Sequence, residues 1–100
     1  MQLGDRFNEG KPKWGLVPQS ALIPMVRVLE FGMEKYGKGN WQKGLSVIEI
    51  CESLKRHLDA FMEGEDNDPE TGISHIGHIQ CNSMFLSWMI NNKPELDDRL

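Results

Sequence analysis

The chain has 100 residues, 39% of them hydrophobic and 8% aromatic, and a formal net charge of −4. A chain of this size forms one small domain that buries only about 60–65% of its unfolded surface, so self-association is an expected source of stability. The acidic balance argues against a nucleic-acid polymer as partner, because a phosphate-backbone binder normally carries a basic face.

Residues 1–17 are rich in Gly, Lys and Pro and follow no period. They predict an extended N-terminal arm, with Trp14, Leu16 and Val17 pinning it to the body. The arm contains no apolar leader core, and no run approaches membrane-spanning length. A soluble, cytoplasmic protein without a membrane partner is expected.

A first helix is predicted to begin near Pro18–Ser20, with Leu22, Val26, Leu29, Met33 and Tyr36 as its apolar stripe. Pro24 falls early, where a missing N–H costs least, and Gly37 suits the position after the helix. Ser46 and Glu49 have capping-box spacing and open a second helix. Its inner face would carry Val47, Ile50, Leu54, Leu58 and Phe61, and Gly64 would end it. Pro69 interrupts any helix through the acidic stretch that follows. A third helix, from about Ser74 to Asn91, is apolar nearly all round, which places it centrally or in an interface. The expected fold is all-α, with three main helices and the last two forming a hairpin. The arm covers residues 1–17, the helical domain residues 18–92 and a polar C-terminal tail residues 93–100. Cys51 and Cys81 sit inside apolar helical patterns without CxxC spacing, as buried thiols do.

Chemistry-bearing residues converge on the predicted hairpin. His75, His78 and Asn82 follow i, i+3, i+7 spacing and share one helix face. Arg56 and His57 lie near the end of the second helix, so the hairpin brings all three histidines together. Between them, Glu65, Asp66, Asp68 and Glu70 offer hard oxygen ligands of the kind Mg2+ or Mn2+ takes. They do not form a calcium loop, because Thr71 occupies the glycine position and Gly77 the terminal glutamate position. Around the first helix, Lys11, Lys13, Lys35, Lys38 and Lys43 are locally basic, and Asn40 and Trp41 add an amide and a flat ring. That mixture suits a phosphorylated ligand with a base to stack. Glu30 and Glu34 could pair as carboxylates, but Arg27 and Lys38 at helical spacing make surface ion pairs the simpler account. No Walker A, GxSxG or HExxH sequence is present.

The segments "KPKWGLVPQSAL", "GMEKYGKGNWQKG", "LKRHLDAFMEGEDNDPETG" and "SHIGHIQCN", in that order, resemble a family of small, largely phage-encoded dATP/dGTP diphosphohydrolase-like domains. These are in turn similar to the all-α nucleoside triphosphate pyrophosphatases of the MazG-like group. The resemblance covers roughly residues 10–90. It implies a divalent-metal-dependent pyrophosphohydrolase that converts purine (deoxy)nucleoside triphosphates to monophosphate and pyrophosphate, in the host cytoplasm if phage-encoded. A homo-oligomer, dimer or higher, is the expected assembly. On this basis Glu65, Asp68 and Glu70 would hold Mg2+ or Mn2+, and His57, His75 and His78 would complete the catalytic site. Lys11, Lys35 and Arg56 would neutralise phosphate, Trp41 would stack on the base, and Asn40 and Asn82 would add polar contacts. The chain departs from MazG-like enzymes in one respect: His75xxHis78 stands where ExxD would be, and the second helix has no ExxE. The alternative is therefore a non-catalytic protein that sequesters a nucleotide or nucleotide signal.

Overall fold

The computed structural model describes residues 1–99, and Leu100, the last residue of the expected tail, lies outside the described residues. Among those residues are three α-helices and no strand: α1 (Ile23–Tyr36), α2 (Val47–Met62) and α3 (His75–Asn92). Short 3-10 turns precede α1 at Gln19–Leu22, cross the α1–α2 connection at Asn40–Lys43, and follow α3 at Pro94–Leu96. The helix boundaries follow local chemistry. The Ser46 hydroxyl accepts the Glu49 N–H at 3.2 Å, and the Ser74 hydroxyl accepts the Ile76 N–H at 3.1 Å, so each satisfies an orphan donor of a first turn. Gly37, at φ 92°, ends α1.

Helix α3 is the central element: α1 and α2 both pack on it, while they scarcely meet each other. Val47, Ile50 and Met89 are the innermost side chains, and Trp41, Leu45, Phe85, Leu86, Trp88 and Leu96 close around them. Burying a side chain of this kind contributes about 1.5–3 kcal/mol. The core thus sits where the start of α2 meets the end of α3. Leu96 brings the C-terminal segment into it, and Asp98 caps α2 by accepting the Ile48 N–H at 2.9 Å. The tail is therefore joined to the folded body through Leu96 and Asp98.

Three expectations need correction. The first is the inner face of α2: Leu58 and Phe61 are exposed, because the end of that helix carries the polar hairpin end rather than the core. Trp14 and Leu16 are about 79% and 81% exposed, so they do not pin the arm to the body. On α1, Val26, Met33 and Tyr36 face outward, whereas Met25, Val28, Leu29 and Gly32 are half-buried. The inner stripe thus keeps Leu22 and Leu29 of the expected set and takes Met25, Val28 and Gly32 in place of Val26, Met33 and Tyr36. The helix carries apolar side chains on both faces, and its close contact with α3 selects between them. A Cβ on Gly77 would lie 2.6 Å from the Pro24 carbonyl oxygen, so only glycine lets the two backbones approach so closely. No helix among the described residues is long and apolar enough to cross a membrane.

Gly77→Ala should lower stability, although helix propensity alone favours alanine by about 1 kcal/mol. Overpacking against a main-chain carbonyl costs about 1–3 kcal/mol, which corresponds to a Tm lower by several degrees in a domain this small. Thermal unfolding monitored by circular dichroism measures it, and an unchanged or raised Tm would contradict the close-contact account.

Candidate functional site

The segment between α2 and α3 is a tightly bonded turn. The Glu65 N–H donates to the Ala60 carbonyl at 3.0 Å, Asp68 N–H to Ile73 carbonyl at 2.9 Å, and Gly72 N–H to Asp68 carbonyl at 2.7 Å. Asn67 and Ser74 form an isolated antiparallel bridge, and the His75 N–H donates to the Asp66 carbonyl at 2.9 Å. Pro69 and Gly72 (φ 73°) allow the reversal. The Asp68 carboxylate also accepts the Glu70 N–H at 3.0 Å, which fixes its orientation. The outcome is a hairpin whose closing loop lays carboxylates over the ends of both helices.

All three histidines meet there. His57 of α2 and His75 of α3 approach Nδ1 to Nδ1 at 2.9 Å. The His57 and His78 rings stack nearly parallel, 4.3 Å between centroids and 2° between planes. His75, only 3% exposed, holds Glu65 through Nε2 at 2.7 Å. His78 Nε2 lies 2.8 Å from the Thr71 hydroxyl and 3.6 Å from an Asp68 oxygen. His57, Asp68 and His78 each offer one ligand atom, and the three atoms lie within 4.8 Å of one another. Burial is the largest influence lowering the pKa of both His57 and His78. The neighbouring histidines push the same way, and Asp68 opposes them. Two neutral imidazoles beside a carboxylate could hold a divalent cation, since metal takes the neutral ring.

A family model described as "dATP/dGTP diphosphohydrolase, N-terminal" matches residues 1–99. The chain belongs to this family. It is also 38% identical over 96 residues to the dATP/dGTP diphosphohydrolase of Salmonella phage PMBT28. That match covers 96% of the chain but 33% of the relative, so the chain spans about a third of the relative's length. No solved structure matches the chain.

Within this member of the dATP/dGTP diphosphohydrolase N-terminal family, the remaining expected site residues are scattered. Asn82 donates to the Ser53 hydroxyl at 3.3 Å, bridging α3 and α2. Trp41 packs on Phe85 at 4.7 Å and on Trp88 at 5.1 Å, as a wall of the core. Phe85 lies seven residues beyond His78, about 10 Å along the helix axis. Asn40 is half-buried beside Trp41 in the same turn. Lys11 and Lys35 are exposed, the latter with its ammonium 5.2 Å over the Tyr36 ring. Arg56 is exposed next to His57, near enough for its charge to help lower the His57 pKa. Glu70 is exposed on the closing loop, and Glu65 faces His75 rather than the His57–Asp68–His78 group. Arg27 pairs with Glu30 at 3.0 Å, the surface ion pair that the spacing suggested. Cys81 is buried, and burial pushes its thiol up to about 12, so it is inert as a nucleophile.

Two features were not singled out from the sequence. Thr71 joins the cluster through His78; its place two residues before Ile73, whose N–H it also accepts at 3.2 Å, is an ordinary turn signal. An open groove of about 460 Å³ is lined by Ile23, Arg27, Phe31 and Glu34 of α1 and by Gly72, Ile73 and Ser74 of the closing loop. It contains none of the histidines.

Because the folded-state pKa values of His57 and His78 lie below 6.5, the folded chain binds fewer protons than the unfolded chain just below that pH. Their contribution is complete above about pH 6.5 and is lost as pH falls through the folded values. Metal-free protein should therefore lose Tm between about pH 7 and about pH 5. In His78→Gln that loss should be smaller. Parallel Tm–pH curves for the two proteins would contradict the assignment.

Proposed function

We propose that this domain hydrolyses purine (deoxy)nucleoside triphosphates to monophosphate and pyrophosphate, using a divalent cation held by His57, Asp68 and His78. One observation carries the proposal: these three ligand atoms gather within 4.8 Å at the hairpin end. It is supported by membership of a family that includes a phage protein named dATP/dGTP diphosphohydrolase. Two ring nitrogens and one carboxylate oxygen fit Mn2+ better than Mg2+, which takes oxygen ligands in near-ideal octahedra. Bound there, the cation would offset phosphate charge and lower the pKa of a coordinated water. Arg56, exposed beside His57, supplies positive charge to the phosphate chain. Glu70, exposed on the closing loop two residues beyond Asp68, is the carboxylate available to take the proton from the attacking water. The groove between α1 and the closing loop is large enough for a nucleoside, and Ile23 and Phe31 give it apolar walls for a purine. It replaces Trp41 as the base seat, since Trp41 is committed to the core. The outward face of α1, with Val26, Met33 and Tyr36, supports a homo-oligomer.

Purified protein should release pyrophosphate from dGTP or dATP with Mn2+, less with Mg2+, and none with EDTA. Asp68→Asn should abolish the release while remaining folded. Equal release with EDTA would exclude the metal mechanism, and tight binding of a nucleotide recovered unchanged would favour sequestration. Light scattering at tens of micromolar should give a dimer or larger; a monomer would refute the oligomer.

A further inference from the structure

Glu65 is the carboxylate whose structural position departs most from its expected role as a metal ligand. Its main chain is anchored to the end of α2 through the Ala60 carbonyl, and its Oε1 lies 2.7 Å from His75 Nε2. An ionised carboxylate can only accept, so the proton in that contact belongs to His75 Nε2. With His75 taken as the neutral ring, its single N–H is the one facing Glu65, and its Nδ1 is an acceptor. The proton in the 2.9 Å contact between His75 Nδ1 and His57 Nδ1 then resides on His57. His57 Nε2 is thereby left with a bare lone pair, on the ring that forms a candidate ligand set with Asp68 and His78. His75 is 3% exposed, so water has little access to its ring nitrogens, although the Glu65 carboxylate itself reaches solvent.

We propose that Glu65 is a positioning residue: through buried His75 it fixes the tautomer of His57 so that Nε2 faces a divalent cation shared with Asp68 and His78. The inference rests on the metal-centre reading above. Hydrogen-bonded partners of a ligating histidine commonly set its tautomer and orientation. Here the partner is a second histidine, and a carboxylate one step further back decides which way the chain of protons runs. Without Glu65, His75 can carry its proton on either nitrogen, and His57 loses its fixed donor direction.

The test uses metal-free, 15N-labelled protein and long-range 1H–15N spectra of the histidine rings, followed by calorimetric titration with MnCl2. The wild type should show His57 protonated at Nδ1 and not at Nε2. Glu65→Ala should give mixed His57 tautomers and bind Mn2+ about 10–100-fold more weakly. Glu65→Gln, whose amide oxygen still accepts from His75 Nε2–H, should restore most of both. His57 protonated at Nε2 in the wild type would overturn the proposal without reference to any variant's folding. Uptake of Mn2+ with equal affinity by wild type and Glu65→Ala would overturn the positioning role alone. No uptake by wild type would overturn the metal centre itself and the positioning role with it.

Discussion

The contact between His57 and His75, ring nitrogen to ring nitrogen at 2.9 Å, is the constraint on which the site depends. It joins two helices separated in sequence by a loop of twelve residues, 63–74, and forms only if that loop closes with one geometry. The loop's own hydrogen bonds impose that geometry: Asp68 and Gly72 tie its tip, and the Asp66 carbonyl receives the first amide of α3. Once the rings meet, His78 stacks on His57 one turn further along α3, and Asp68 falls beside both. A backbone arrangement thus becomes a donor set.

The same pair of helices divides its work between its two ends. At one end Val47, Ile50 and Met89 lie under Trp41, Phe85 and Trp88, and the apolar contacts that hold the domain are concentrated there. At the other end Leu58, Phe61 and Met62 are exposed, and buried His75 is surrounded by partly buried His57, His78 and Asp68. A buried histidine is tolerable only when both ring nitrogens have partners, and His75 has both, in Glu65 and His57. The polar end is accordingly a network whose members support one another, and the apolar end supplies the stability that lets it persist.

Much of this was legible in the sequence because it is local. Ser46, Ser74 and Gly37 mark helix ends through hydrogen bonds and φ values that neighbouring residues decide. The gathering of three histidines followed from the hairpin alone. What was not legible depends on contacts between distant elements. The periodicity of α1 offers two apolar faces, and the choice is made by Gly77 against Pro24, fifty-three positions apart. Trp41 has the composition of a base-stacking residue, but whether it meets a ligand or Phe85 is settled by how the α1–α2 connection crosses α3. Glu65 and Asp68 look equivalent as carboxylates in one acidic stretch. Their different roles arise from three residues of loop, which turn one toward buried His75 and the other toward His78. Asp98 capping α2 was hidden for the same reason, since its partner Ile48 lies fifty positions earlier.

The chain spans about a third of its phage relative's length, and the three histidines gather within that stretch. The most direct test of that centre is anomalous diffraction from crystals of this domain grown with Mn2+. One ion should be bound by His57, Asp68 and His78, with Glu65 still on His75. An ion held instead by Glu65 and Glu70, or no ion at the hairpin end, would contradict it.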